Sequence, residues 1–203
     1  MAVPKGTARG TFLGALFSST GGDPGVLRLF SRAEVARPRE VVVKTLHLLR
    51  HAKSDWSSAT RPDHDRPLNE RGKRARTDVA AHVKGWRVDL VVCSTARRAR
   101  ATAEPVVGTL GCPVHFEPEL YAADEPDDVI AVIRALPDES DTVMLIGHNP
   151  WTEELTAALC GTSPPYPTAA LGSIELDIDQ WSQVGPGSGV LVAHVTPSRL
   201  RAL

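Results

Sequence analysis

The sequence has little cysteine, no long apolar run and almost no net charge, and each shortage removes a class of function. Its three cysteines, Cys93, Cys112 and Cys160, are odd in number and widely spaced. They form neither a metal-binding pattern nor a disulfide framework. This favours a reducing, cytoplasmic setting in which the thiols serve as small buried hydrophobes. No apolar stretch is long enough to span a bilayer as a helix. A formal net charge of −1 argues against a general nucleic-acid binder, which carries a basic excess, yet leaves room for a locally positive pocket. Familiar motifs are also missing. There is no G-x-S-x-G elbow for a serine hydrolase, no G-x-x-x-x-G-K loop for a P-loop kinase and no Asp/His cluster for a metallophosphatase. A cysteine-dependent phosphatase would need an arginine closing a loop with its cysteine; counted from Cys93, that place holds Ala99, and Arg98 stands one residue short.

The 203 residues allow one domain, with ordinary apolar and charged content of 42% and 23%. Residues 1–40 differ from the rest, with scattered Gly, Pro, Arg and Ser and no sustained periodicity. They read as a poorly ordered extension, with a transit-type leader or a natural start at Val41, Val42 or Val43 as alternatives; residues 41–203 read as the folded domain. Within that domain apolar strands alternate with helices. Strands are expected near 43–50, 88–93, 114–116, 142–146, 171–178 (alternating, half exposed) and 190–195. Helices are expected near 70–86 with Asn69 as N-cap, 95–110 with Pro105 starting or kinking one part of it, 126–136 and 150–159. Such alternation predicts a three-layer α/β/α sandwich around a mostly parallel sheet.

The richest segment is Leu49–Trp56, LRHAKSDW, where the apolar run through Val43, Leu46, Leu48 and Leu49 ends. In open α/β sheets, ligands sit at the carboxyl ends of strands. Arg50 and His51 thus put a permanent cation and an imidazole where a ligand would bind. Three further pieces follow strands: Ser94–Glu104 (STARRARATAE), Glu119-Leu120-Tyr121 and Gly147-His148-Asn149-Pro150. Their chemistry agrees. Guanidinium forks match phosphate oxygens with bidentate, charge-assisted bonds, and helix N-termini add oriented N–H donors. One histidine can carry a phosphoryl group covalently, and a second can stabilise the oxygens as charge develops.

The ordered set RHA, S-x-x-x-R-A and GHNP resembles the histidine phosphatase superfamily, branch 1, and RHAKSDW is most similar to its SixA-type phosphohistidine phosphatases. The resemblance covers about Val43 to Val195. It implies a phosphoglycerate-mutase-like fold and a metal-independent phosphatase that needs no cofactor and works through phosphohistidine. It further implies that His51 is the nucleophile, that Arg50, Arg98 and His148 hold the phosphoryl group, and that Ser57, where relatives often carry Asn, is a further phosphate contact. Arg98 is chosen over Arg97 because the family arginine stands four residues after the serine and directly before Ala99. The general acid departs from the pattern. Fuller members carry a carboxylate two residues after a leucine; here that place, after Leu120, is Ala122. Glu119 is the nearest substitute and Asp124 the second. Imidazole, with a conjugate-acid pKa of roughly 6.5, leaves with less protonation than an alkoxide does. The missing acid therefore favours a phosphohistidine protein over a small phosphorylated metabolite as partner, with no nucleic acid and no membrane, the enzyme acting as a monomer or weak dimer. A metabolite phosphatase is the first alternative; a catalytically silent phospho-binding module is the second.

The plainer readings are structural. His47, His64, His82, His115 and His194 are taken as surface or packed histidines, and Arg97 and Arg100 as solvated helix charges. Trp86, Trp151 and Trp181 are packing residues, whereas Trp56 walls the pocket. The run Arg71–Arg76 is a solvated helix face or a docking edge for an acidic protein.

Overall fold

The computed structural model describes residues 43–162 and 164–200. The expected extension over residues 1–40 and the starts at Val41 and Val42 lie outside the described residues.

A six-stranded sheet forms the middle layer. Its strands are β1 (Lys44–Arg50), β2 (Leu90–Ser94), β3 (Val114–Glu117), β4 (Thr142–Gly147), β5 (Leu171–Leu176) and β6 (Gly189–Val195), in the spatial order β3-β2-β4-β1-β5-β6. Pairs β3/β2, β2/β4 and β4/β1 are parallel, whereas β5 runs antiparallel to both β1 and β6. One reversed strand in six fits the expected, mostly parallel sheet.

Strand alternation divides the core between two faces. Leu46 and Leu48 of β1, Val92 of β2, and Val143 and Leu145 of β4 pack on α4 (Pro126–Arg134) and α5 (Trp151–Cys160) through Val129, Ile130, Ile133, Leu155 and Leu159. Leu49, Val91, Cys93, Met144 and Ile146 face the other way. They meet Val79 and Val83 at α1 (Glu70–His82) and Ala99, Ala103 and Val106 of α2 (Arg97–Leu110). Truncating one such residue, Leu48→Ala for instance, costs roughly 2–5 kcal/mol.

Local chemistry explains most element ends. The Asn69 side chain accepts from the Gly72 backbone N–H at 2.9 Å and opens α1, which ends at His82, sooner than expected. Gly72 has a second duty: a Cβ there would lie 2.1 Å from the Lys53 carbonyl oxygen, so this turn of α1 seats directly on the chain leaving His51. Pro105 does not break α2. It lacks an N–H for the Ala101 carbonyl four residues earlier, and Arg76 Nη1 of α1 donates to that carbonyl instead at 2.7 Å. The expected half-exposed strand at 171–178 is mostly buried as β5, because both its faces are covered: Ile174 and Leu176 join the core with α4 and α5, and Leu171 joins the one with α1 and α2. A four-residue helix α3 (Glu119–Ala122) and a C-terminal turn α6 (Pro197–Leu200) are additions to the expected elements.

Candidate active site

The parallel register builds the site. Arg50 is the register partner of Gly147, so the residues that follow, His51 and His148, leave adjacent strands side by side. The His51 N–H donates to the Gly147 carbonyl at 2.9 Å, and the two imidazole centroids lie 4.9 Å apart. Ser94, at the end of β2, adds the third strand end, with Ser94 Oγ 2.8 Å from His148 Nε2.

Hydrogen bonding fixes the His51 tautomer. Its Nδ1 lies 2.8 Å from the Ala52 carbonyl oxygen, which can only accept, so Nδ1 carries the proton and Nε2 keeps a lone pair. Arg98 Nε donates to that Nε2 at 3.3 Å. Burial lowers the His51 pKa to about 4; the Ala52 hydrogen bond opposes this, and Arg98, Arg50 and Arg66 add to it. His148 is lowered to about 2, by burial first and then by His51 and the same arginines. Both rings are neutral near pH 7.

Five groups converge around this pair. Arg98, buried in the first turn of α2, extends Nη2 to 3.4 Å from His148 Nδ1. Its fork also grips Asp63, with Nη1 to the backbone carbonyl at 2.7 Å and Nη2 to Oδ2 at 2.9 Å. Arg66 donates from Nη2 to Asp63 Oδ1 at 2.6 Å and lies flat on the Trp56 ring, 3.4 Å from its centroid. Tyr121 donates its hydroxyl to Asp63 Oδ2 at 3.2 Å and sets its ring edge-on to His148 at 5.8 Å. Desolvation raises the Asp63 pKa, but Arg98 and Arg66 outweigh it and the net shift is downward. Burial, then Asp63, raises the Tyr121 pKa. Arg50 donates Nη1 to the Tyr166 carbonyl at 2.5 Å, and burial lowers its own pKa.

Several donors remain without a partner. Among the described residues, Arg50 Nε, Arg66 Nε and Arg66 Nη1 are buried and make no hydrogen bond. A buried, unpaired guanidinium N–H costs of order 1–3 kcal/mol. An anion in the cluster would satisfy such groups.

The structure thus gathers Arg50, His51, Arg98 and His148, and leaves three expected residues outside. Ser57 is exposed and turns back on its own loop, its hydroxyl donating to Asp55 Oδ2 at 2.8 Å. Glu119 opens α3 on an exposed face. Leu120 beside it is buried and its carbonyl accepts from Trp151 Nε1 at 3.2 Å, which turns Glu119 away into a shallow hollow shared with Glu117 and Asp128. A hydrogen bond with the Glu117 side chain lowers the Glu119 pKa, the wrong direction for an acid. Asp124 is exposed, and its backbone N–H donates to Asp128. Trp56 is 68% exposed and forms a platform under Arg66 rather than an inner wall. His64, taken as a surface residue, stands at the rim, with Nε2 3.1 Å from Thr95 Oγ1 and its ring on Tyr121 at 4.8 Å.

Sequence reasoning missed Asp63, Arg66 and Tyr121. A usable signal for Arg66 was its place in Asp65-Arg66-Pro67-Leu68, an arginine held rigid by the following proline. Other readings hold: His47 is buried with Nδ1 2.9 Å from Ser173 Oγ, and burial pushes the Cys93 thiol up to about 12, where it is no nucleophile.

Known proteins point the same way. The sequence profile of the histidine phosphatase superfamily (branch 1) matches residues 46–124. An uncharacterised Mycobacterium tuberculosis protein is 34% identical over 73% of this chain and 99% of its own length. An uncharacterised chloroplastic protein of Arabidopsis thaliana is 32% identical over 80% of this chain and 82% of its own. Among solved structures, the protein histidine phosphatase SixA complexed with tungstate aligns with a TM-score of 0.66 and 29% identity, over 77% of this chain and 99% of that one. A candidate phosphohistidine phosphatase SixA from Agrobacterium tumefaciens aligns at 0.65 and 28% identity, over 76% and 98%. The chain therefore belongs to the histidine phosphatase superfamily, branch 1, as a SixA-like phosphatase.

Proposed function

We propose that the protein is a protein phosphohistidine phosphatase that acts through a phosphorylated His51 without a metal. The observation that carries this reading is the neutral His51 ring, its proton held on Nδ1 by Ala52 and its Nε2 lone pair facing the guanidinium of Arg98. The incoming phosphoryl group takes over the free N–H donors of Arg50 and Arg66 and part of the Arg98 fork. His51 Nε2 attacks phosphorus in line as the N–P bond breaks, and the substrate ring, which carries a proton on its other nitrogen, takes the bonding pair and leaves as neutral imidazole. Arg50, Arg66, Arg98 and His148 hold the charge on the oxygens. Water then attacks phosphohistidine 51, releasing inorganic phosphate and restoring the neutral ring.

The choice of an N–P substrate rests on the absence of a poised acid among the described residues near the cluster. Glu119 faces away, Asp63 is held ionised by two arginines, and Glu153, which acts on Arg50, has its Oε1 taken by the Asn149 side chain and the Tyr166 N–H, each at 2.7 Å. Imidazole needs little protonation to leave, whereas an alkoxide needs much. The similarity to SixA structures supports the same choice.

The test is turnover of a phosphohistidine protein beside a panel of phosphate monoesters, in EDTA, with His51→Ala as control. Preference for phosphohistidine is expected, with turnover abolished and the melting temperature little changed in His51→Ala. Activity retained by His51→Ala would refute the nucleophile. Preference for a monoester would keep the site but move the substrate to metabolites.

A further inference from the structure

A second concavity lies beside the phosphate cluster and takes no part in the chemistry above. It is a groove of about 600 Å³ between α2, the edge strand β3 and the rim of the site. This lies within the range of ligand clefts, about 300–1,000 Å³, and far exceeds what one phosphoryl group needs. Val114 and Phe116 project to the α2 side of β3, as alternate residues must, and Ala101 and Val107 of α2 complete an apolar floor. Its end nearest the site is marked by Thr95 and His64, the latter resting on Tyr121 and through it on His148.

Two cations of the groove stand unpaired among the described residues. Arg97 and Arg100 are exposed and line it, and neither pairs with a carboxylate among the described residues. The Arg100 guanidinium stacks on Phe116, 4.6 Å from the ring centre, which leaves its edge N–H groups outward. Phe116 is itself among the exposed large apolar residues. Of the two carboxylates present, Glu104 is paired with Arg76 Nη1 at 2.9 Å and Asp65 stands 3.4 Å from His64 Nδ1. The basic run on α1 is a poorer candidate for docking: Lys73 is engaged by Glu70 at 2.6 Å and Arg76 by Glu104, and Arg71 and Arg74 border a hollow with no aromatic floor.

We propose that this groove binds an acidic segment flanking the phosphohistidine of the protein substrate. The segment places one apolar side chain on Phe116, Val107 and Val114 and its carboxylates on Arg97 and Arg100. The inference rests on the phosphohistidine-protein reading and adds to it the substrate's sequence context. A histidine presented at the pocket must carry its neighbouring chain across the His64–Thr95 rim, and the groove begins there.

The test compares three substrates on the full-length protein: free phosphohistidine, a phosphohistidine peptide flanked by Asp and Glu, and the same peptide with Asn and Gln. The variants are Arg97→Glu/Arg100→Glu, the milder Arg100→Gln, and Arg74→Glu on α1 as a charge control. For the acidic peptide, kcat/KM should fall about tenfold or more in the double variant and several-fold in Arg100→Gln, chiefly through KM. Free phosphohistidine and the neutral peptide should be turned over as by the parent, and Arg74→Glu should leave all three unchanged. Equal loss on both peptides, or loss on neither, overturns the groove. If the enzyme prefers monoesters, the phosphohistidine reading falls separately. The groove is then judged by fluorescence anisotropy of the unphosphorylated acidic peptide: binding lost only in the arginine variants keeps it, and binding unaffected by them removes it.

Discussion

Two loops border the phosphate cluster, and they contribute unequally. The segment from His51 to Asn69 sends in Asp63, Arg66 and, at the rim, His64. The segment from Glu117 to Glu125 sends in one phenol, that of Tyr121, while Glu117 and Glu119 line a hollow beside α4. The richer loop is tied down by backbone bonds at both ends, with Asp55 N–H to Pro67 at 2.8 Å and Asn69 N–H to Lys53 at 3.0 Å. The poorer one is set by a single buried leucine whose carbonyl is held by Trp151. The loop next to His51 thus supplies two of the groups that meet Arg98, and the loop where fuller relatives of the family pattern would carry an acid supplies the cluster with no carboxylate.

That contrast can be broken experimentally. Arg66→Ala should give the largest loss, about 100-fold in kcat/KM, comparable to removing one transition-state donor, read by steady-state kinetics on phosphohistidine. A loss under threefold would remove Arg66 from the phosphate set. Acid should act on stability. Unfolded histidine titrates near 6.5, whereas native His47 and His51 do so near 4 and His148 near 2. Between these values the unfolded chain holds more protons, so stability falls as pH falls from 7 towards 4, on the order of 2 kcal/mol per histidine by pH 5. Urea midpoints at pH 7 and pH 5 measure it, and a smaller drop in His47→Gln isolates one contribution. Asp63→Asn should lower kcat about tenfold while phosphate inhibition is kept or strengthened, because the arginines lose their positioning partner but keep their charge. Glu119→Gln should change turnover less than about twofold on any substrate, as expected of an exposed surface carboxylate; a tenfold loss would return the acid to α3.

These effects separate what the residues announce from what only folding reveals. The strand ends carrying Arg50, His51, Ser94 and His148 were legible because apolar runs stop there and polar chemistry begins. Arg98 was legible by its spacing from Ser94. Asp63 and Tyr121 were not, since they meet across 58 positions of sequence and neither lies on an element long enough to show a period. Nor could local propensity show that Pro105 would sit inside a continuous helix: Arg76 supplies the missing donor from a different helix. The burial of β5 failed for a related reason. Alternating residues suggested one wet face, and only the fold reveals that core residues pack on both faces of the strand.

The contact between Gly72 and the Lys53 carbonyl sets a mechanical tolerance for anyone redesigning this enzyme. Helix α1 is a buttress whose first turn abuts the chain two residues beyond His51, with no room for even a methyl group. The groove arginines and the α3 carboxylates are open ground for altered specificity. Position 72 is a hard stop, where added bulk would be transmitted as displacement to the His51 imidazole.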